Sequence, residues 1–150
     1  MATDAANALQ GWFQYLKQED FEYLIQYIEN IQNGIPNHEM IILLGHPCTG
    51  KTTLIEDIQT YLTPEICQWG DVHELIYEEN IKPFILLAPE CLLDTHYNYK
   101  SRQNNVNSII NFIRFGISFI TAAYNLNRMN TKFLEHSRII EMTHIFTPNT

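Results

Sequence analysis

The chain has little positive charge. Its 150 residues include 9 Lys and Arg against 17 Asp and Glu, a formal net charge of −8. A protein that binds duplex DNA over a broad surface usually presents a positively charged face. This composition argues against such a face. Any contact with nucleic acid must come from a few locally placed Lys or Arg side chains, or from a ring of subunits that concentrates them.

Cysteine and long apolar runs are also scarce. The three cysteines are scattered at positions 48, 67 and 91 and form no C-x-x-C pair, which argues against a disulfide framework or zinc site and favours a reducing compartment. The longest apolar runs, such as residues 81–87, are interrupted and too short to span a bilayer. The N-terminus MATDAANALQ has no basic stretch followed by an apolar one, so we expect neither a secretory signal nor a membrane partner.

The apolar residues that are present, within an ordinary 45% hydrophobic composition, follow alternating helix and strand patterns. Three- and four-residue spacing predicts one or two amphipathic helices within residues 8–33, and Gly34 with Pro36 predicts a turn after them. Further helices are predicted at residues 51–62 and 106–115, and strands at residues 40–44, 83–90, 117–125 and 138–146. Strands that alternate with helices predict an α/β fold with a mainly parallel sheet.

Residues 45–52 match the phosphate-loop pattern G-x-x-x-x-G-K-[ST], between a predicted strand and a predicted helix. Its glycines permit backbone angles that turn several N–H groups toward one anion, and the helix N-terminus points at the same phosphates. Lys51 is predicted to reach the β- and γ-phosphates of ATP, and the Thr52 hydroxyl to ligate Mg²⁺. The predicted nucleotide-binding residues are Gly45, Pro47, Thr49, Gly50, Lys51, Thr52 and Thr53.

The predicted turn at Gly34 and Pro36 divides the chain into two predicted parts. Residues 1–36 form a short N-terminal helical segment, and residues 37–150 form a P-loop NTPase domain whose cofactors are ATP and Mg²⁺. His46 and Cys48 lie inside the loop, but two positions without a further partner cannot complete a metal site of their own.

Three segments resemble superfamily 3 helicases of small DNA viruses, the family of the papillomavirus replicative helicase and its polyomavirus and parvovirus relatives. FEYLIQYIENIQNGIPNHEMIILLGHPCTGKT is similar to the family's helix, G-I-P-K-K-N turn, apolar strand and G-P-P-x-T-G-K-S/T loop. FLEHSRIIEMTHIF is similar to its Y-L-x-S-R-V-x-x-F-x-F segment, and ISFITAAYN to the strand that ends in its sensor asparagine. The resemblance covers about residues 20–148. It implies an AAA+-like ATPase that assembles as a homo-oligomer, a hexamer around single-stranded DNA, with nucleotide between neighbouring subunits.

The resemblance also implies roles for individual residues. Beside Lys51, Glu90 would order the metal and the attacking water, which makes Thr52 and Glu90 the metal ligands. Asn125 would be the polar sensor at the γ-phosphate, and Arg138 would reach a neighbour's nucleotide as an arginine finger. Each role has an alternative: Glu90 only solvates or caps a strand end, Asn125 forms a turn, and Arg138 pairs with Glu135 or Glu141. Location in the host nucleus and contact with other replication proteins are implied by the resemblance alone.

The chain departs from the family in two places. The family's second motif commonly ends in two adjacent acids, whereas here Pro89 precedes a single acid, Glu90, with Asp94 the nearest other candidate. The family also carries a DNA-gripping β-hairpin before the sensor strand. The interval between Glu90 and Asn125 is filled by an Asn-rich stretch and a predicted helix, which leaves no room for it.

Three functions agree with these features of the sequence. The leading hypothesis is an ATP-dependent DNA helicase module of a viral replication protein, acting as a ring. The alternative is a catalytically reduced, nucleotide-binding scaffold or regulator of a replication complex without DNA translocation, which the net charge of −8 and the single acid favour. A small P-loop kinase is less favoured, because such kinases usually carry an arginine-rich lid and basic residues are sparse here.

Overall fold

The structure of the chain is a computed structural model that describes residues 4–46, 49–62, 67–69, 85–88, 110–111, 113–114, 116–123 and 134–144, with the backbone alone for residues 67–69 and 85–88. Its helices are α1 (Asp4–Ala8), a 3₁₀ helix (Gln10–Tyr15), α2 (Gln18–Gln32) and α3 (Lys51–Tyr61). Its strands are β1 (Met40–Leu44), β2 (Cys67–Trp69), β3 (Ile85–Ala88), β4 (Ser118–Ala123) and β5 (Ser137–Glu141).

The five strands form one sheet in the order β2-β3-β4-β1-β5, and every neighbouring pair is parallel. The predicted α/β fold with a parallel sheet is confirmed. β1 is paired on both sides, with Leu44 level with Ala123 of β4 and with Glu141 of β5. Because all strands run the same way, their carboxyl ends meet at one edge of the sheet, where ligands of open α/β folds bind.

The strands differ from the sequence prediction in extent. β2 was not predicted, because three residues are too few to establish a periodicity. The last strand was predicted to reach residue 146, but β5 ends at Glu141. The next residue, Met142, still donates its backbone N–H to Leu44 O at 2.8 Å. Beyond that point β1 has left the sheet, and the described residues 142–144 are no longer part of a strand.

α1, the 3₁₀ helix, α2 and α3 cover one face of the sheet. Alternate strand residues point to this face, among them Ile41 and Leu43 of β1 and Ile120 of β4, and they form one buried cluster with the helices. Residues spaced by three or four positions supply the face of α2, namely Leu24, Ile28 and Ile31. Met40 and Ile42 of β1 are also fully buried although they point the other way, as expected for a parallel sheet covered on both faces.

The N-terminal helical segment packs against the sheet domain. Its buried residues Leu9 and Trp12 belong to the same core cluster as β1 and α3. Trp12 Nε1 also donates a hydrogen bond of 2.7 Å to Asp57 Oδ2, which ties the 3₁₀ helix to α3. The division of the chain at residue 36 stays a prediction. Within the residues described, no helix is long and apolar enough to cross a bilayer.

A buried polar network fixes the turn between α2 and β1. Asn37 Nδ2 donates to Tyr27 O at 3.1 Å and to Ser118 Oγ at 2.9 Å. The Tyr27 hydroxyl donates to Glu39 O at 2.9 Å and accepts from Phe119 N at 2.9 Å. Burial raises the pKa of Tyr27, so its phenol remains a donor. The network holds α2, the start of β1 and β4 in one arrangement.

Candidate nucleotide-binding site

The phosphate loop begins where β1 leaves the sheet. Gly45 N donates to Ala123 O of β4 at 3.2 Å, while Leu44 O accepts from Met142 N at 2.8 Å. The point where β1 passes into the loop is therefore held by β4 on one side and by the residue that follows β5 on the other. A Cβ at Gly45 would press on the Met142 carbonyl oxygen and lie 2.8 Å from Thr49 Oγ1, so the chain passes here only as glycine.

The Lys51 ammonium lies inside this loop. Its Nζ donates to Gly45 O at 2.6 Å and to His46 O at 2.8 Å, with Thr49 Oγ1 at 3.5 Å. The buried Thr49 hydroxyl also donates to His46 O at 2.8 Å, so this loop carbonyl accepts two hydrogen bonds. An ammonium is a compact charge with rotatable donors, so it can exchange carbonyl partners for phosphate oxygens without a change of backbone.

The start of α3 offers a second group of donors to an anion. Gly50, which caps the helix, has φ 88° and ψ 14°, a left-handed conformation that glycine adopts without strain. A glycine cap brings no side-chain oxygen to the first-turn N–H groups of Lys51, Thr52 and Thr53. These groups, with the positive end of the helix dipole, have the chemistry that favours an anion beside the Lys51 ammonium.

Thr52 is the residue that fits Mg²⁺. Its side chain is exposed in the first turn of α3, directly after Lys51. Mg²⁺ usually keeps several waters and takes few protein oxygens together with the substrate phosphates, so one hydroxyl at this position suits it. In the described part of the chain no three His, Cys, Asp or Glu side chains converge as a separate metal site.

The other residues predicted at this edge are Pro47, Glu90 and Asn125, and all three lie outside the described residues. The strands that lead to two of them are described. β3 ends at Ala88 and β4 at Ala123, both at the carboxyl edge where the phosphate loop begins. β4 lies between β1 and β3, so the strand that leads to Asn125 separates the phosphate loop from the strand that leads to Glu90. Most of the interval between Glu90 and Asn125, where the sequence leaves no room for the family's hairpin, also lies outside the described residues, which here are 110–111, 113–114 and 116–123.

Arg138 lies away from the phosphate loop of its own chain. Arg138 pairs with Ile41 of β1, three positions before Leu44, the last residue of that strand. Three residues of an extended strand span roughly 10 Å, so Arg138 lies about that far from the start of the loop. Its guanidinium donates from Nη2 to Asp20 Oδ1 at 3.0 Å and stacks 4.9 Å from the centroid of the Tyr23 ring. The structure therefore does not bring Arg138 together with Lys51.

The partner of Arg138 also differs from the one considered from the sequence. Among the described residues its ion pair is with Asp20, so the alternatives Glu135 and Glu141 are wrong. Glu141 is three positions further along an extended strand, and such residues point to opposite faces of the sheet. Asp20 and Tyr23 were missed as site residues. Their three-residue spacing places them on one face of α2, but no sequence signal links that face to a strand 118 residues later.

No protein-family profile and no curated protein matches the sequence of this chain. Solved structures are similar in fold. One is a DNA replication initiation factor, with a TM-score of 0.60 and 15% identity over 83% of this chain and 45% of that one. Another is the replication initiator DnaA bound to AMPPCP and single-stranded DNA, with a TM-score of 0.62 and 14% identity over 85% of this chain and 46% of that one. A third is AMPPCP-bound DnaA from Aquifex aeolicus, with a TM-score of 0.61 and 13% identity over 95% of this chain and 48% of that one.

This chain spans slightly less than half the length of each of these proteins. At such identities the likeness concerns the fold. It agrees with the independent features described above: an all-parallel sheet, a phosphate loop after β1, and a helix that begins at the lysine of that loop. The chain has the fold of an AAA+ P-loop NTPase.

Proposed function

We propose that this chain binds ATP with Mg²⁺ at residues 45–53 and hydrolyses it as one subunit of a ring that works in DNA replication. The observation that carries this proposal is the Lys51 ammonium, 2.6 Å from Gly45 O inside a loop whose start is held by β4 and by the residue after β5. The loop supplies a fixed positive charge, and α3 supplies helix N–H groups directed at the same place.

The chain's own residues divide the work of phosphoryl transfer. Lys51 and the first-turn N–H groups of α3 bind and neutralise the β- and γ-phosphate oxygens. Thr52 holds Mg²⁺, which when bound supplies a further positive charge to those oxygens. Glu90 and Asn125 follow the neighbouring strands β3 and β4. We assign Glu90 the ordering of the metal and of the attacking water, and Asn125 the role of polar sensor at the γ-phosphate.

The position of Arg138 favours action on a neighbouring subunit. It lies near the start of β5, whereas the phosphate loop begins at the carboxyl ends of the strands. In a head-to-tail assembly, opposite surfaces of successive copies meet, and such interfaces close into rings. An arginine on one surface then faces the nucleotide bound at the other surface of the next copy, where it stabilises charge that develops on the γ-phosphate.

Single-stranded DNA in the channel of the ring is the proposed partner. One of the structures with a similar fold is a DnaA bound to single-stranded DNA. With a net charge of −8, a single copy of this chain offers little electrostatic attraction, so we propose that DNA binding requires the ring. The finer proposal, from the resemblance of residues 20–148, is a superfamily 3 helicase of a small DNA virus that unwinds DNA in the host nucleus.

A second candidate function is a nucleotide-binding scaffold that assembles without fast turnover. Its support is the single acid after β3, Glu90, preceded by Pro89 where helicases of the resembled family commonly have a second acid. With only one carboxylate to order water and metal, binding would persist while hydrolysis slowed.

The test is the rate of ATP hydrolysis with and without single-stranded DNA, across protein concentration, for the wild type, Lys51→Ala and Arg138→Ala. Exposed Lys17 and Arg114 provide matched controls, because Lys17→Ala and Arg114→Ala remove the same charges away from the phosphate loop. A helicase ring predicts turnover that rises with concentration and DNA. Both test substitutions abolish this turnover, and Lys51→Ala alone abolishes nucleotide binding. ATP binding without turnover under every condition supports the scaffold instead.

A further inference from the structure

Four side chains at the amino-terminal edge of the sheet form what we call the Arg138 cluster: Asp20 and Tyr23 of α2, Glu39 before β1, and Arg138 of β5. None of them is part of the phosphate loop. Asp20 lies in the first turn of α2, where the helix dipole favours a carboxylate. The cluster therefore joins the start of a helix to the starts of two neighbouring strands.

Two contacts fix the guanidinium of Arg138 in direction. Arg138 Nη2 donates a hydrogen bond to Asp20 Oδ1, with 3.0 Å between the two atoms. The Tyr23 ring lies against the face of the guanidinium, whose Cζ is 4.9 Å from the ring centroid. The Tyr23 ring is itself held, because its hydroxyl donates to Glu39 Oε1 at 2.9 Å. Burial and this hydrogen bond raise the pKa of Tyr23, which keeps the phenol a donor. An end contact and a face contact together leave a planar group little freedom to rotate.

Exposure differs across the ion pair. The side chain of Asp20 is 8% exposed, whereas that of Arg138 is 38% exposed. The carboxylate is enclosed by the protein, while part of the arginine reaches the surface. If Arg138 left the pair, Asp20 would remain as a buried carboxylate without its cation, which is strongly unfavourable. The arrangement therefore favours an arginine that stays paired while its exposed part meets a ligand, over one that is released.

We propose that Asp20 is a positioning residue which, with the Tyr23 ring, holds the Arg138 guanidinium ready for the triphosphate bound to an adjoining copy of this chain. This inference rests on the proposed function. Asp20 does not touch the nucleotide; it acts through Arg138. An arginine held in advance avoids the entropy cost of ordering a long side chain at each catalytic step.

The test uses two kinds of subunit mixed in solution. Arg138→Ala subunits bind nucleotide but have no arginine to offer. Lys51→Ala subunits offer Arg138 but bind no nucleotide. Mixing them restores turnover if Arg138 acts on the neighbour. We call the Lys51→Ala subunit, which offers the arginine, the donor, and the Arg138→Ala subunit, which binds the nucleotide, the acceptor. The simple donor, with Lys51→Ala alone, is then compared with donors that also carry Asp20→Asn, Asp20→Glu or Tyr23→Phe. A donor that also carries Glu19→Gln, an exposed position in the same helical turn, is the matched control.

We expect the Asp20→Asn donor to support about 10- to 100-fold less turnover than the simple donor, the scale that a small misplacement of a catalytic group produces. Asp20→Glu should recover part of this loss, and Tyr23→Phe, which keeps the ring, should lose less. Glu19→Gln should match the simple donor. The nucleotide affinity of the Arg138→Ala subunits should not change.

Moving Asp20→Asn into the acceptor subunit separates positioning from general destabilisation. That subunit already lacks Arg138, so its turnover should not fall further. If Asp20→Asn lowers the turnover equally in the donor and in the acceptor, the positioning role is wrong. It is also wrong if Asp20→Asn in the donor leaves the turnover unchanged. If the simple pair of Lys51→Ala and Arg138→Ala shows no complementation although the wild type turns over ATP, or if the wild type shows no turnover, the proposed function fails and this inference fails with it.

Discussion

The substitution Gly45→Ala tests the phosphate loop with a single methyl group. The added Cβ would press on the Met142 carbonyl oxygen and lie 2.8 Å from Thr49 Oγ1, whereas ordinary van der Waals contact begins at 3.4 Å. The Met142 carbonyl cannot easily retreat, because the same residue donates its N–H to Leu44 O at 2.8 Å. The strain must therefore pass into the loop, through the Thr49 hydroxyl.

The size of the effect follows from what Thr49 and Gly45 support. Thr49 Oγ1 donates to His46 O at 2.8 Å, and Lys51 Nζ donates to both Gly45 O and His46 O. A displaced Thr49 thus disturbs the carbonyls that hold the ammonium. Overpacking of this kind costs about 1 to 3 kcal/mol of folding free energy. We expect nucleotide affinity to fall at least about tenfold, which corresponds to about 1.4 kcal/mol.

The assay is titration with a fluorescent ATP analogue, beside urea unfolding of the same samples. Gly11→Ala is the matched control, since a Cβ there meets nothing within 4 Å. We expect that control to keep wild-type affinity and to change stability by no more than about 0.5 kcal/mol. Wild-type affinity in Gly45→Ala would show that the loop tolerates the methyl group and that the close approach to Met142 and Thr49 does not shape the site.

Three further predictions concern stability, each measured by denaturant unfolding. Trp12→Phe removes the 2.7 Å hydrogen bond to Asp57 and should cost about 1.5 kcal/mol, with a non-additive effect in combination with Asp57→Ala. Burial raises the pKa of Tyr27 above its ordinary 10.0, so the contribution of the protonated phenol to folding stability is complete below pH 10 and declines as the pH rises further. Tyr27→Phe should therefore flatten the loss of stability at alkaline pH, and an unchanged slope would contradict this prediction. Gly116→Ala should cost at least about 1 to 2 kcal/mol, because Gly116 has φ 92° and an added Cβ would lie 2.9 Å from Pro36 Cβ; a neutral result would show that the turn adjusts.

The parts of the fold that short-range patterns encode were predicted well. β1 and α3 have almost the predicted bounds, because each carries a regular apolar pattern closed by residues that end it. The phosphate loop was predicted as a unit, since its glycines, Lys51 and Thr52 lie within eight consecutive residues. β2 was missed and β5 was predicted too long, because a strand exists only where a neighbour pairs with it.

A parallel α/β fold and a phosphate-loop pattern could both be predicted from the sequence alone, because both depend on residue types at short, regular spacings; that phosphate binds at this loop stays a prediction. Only the tertiary structure decided that β4 lies between β1 and β3, and that Arg138 pairs with Asp20 rather than with the acids near it in the chain. Strand order joins segments that are far apart in the chain, and the contact between Asp20 and Arg138 joins residues 118 positions apart. Contacts between residues so far apart in the chain leave no local pattern in the sequence. Both residues could be read from the sequence, but their pairing could not be predicted from it.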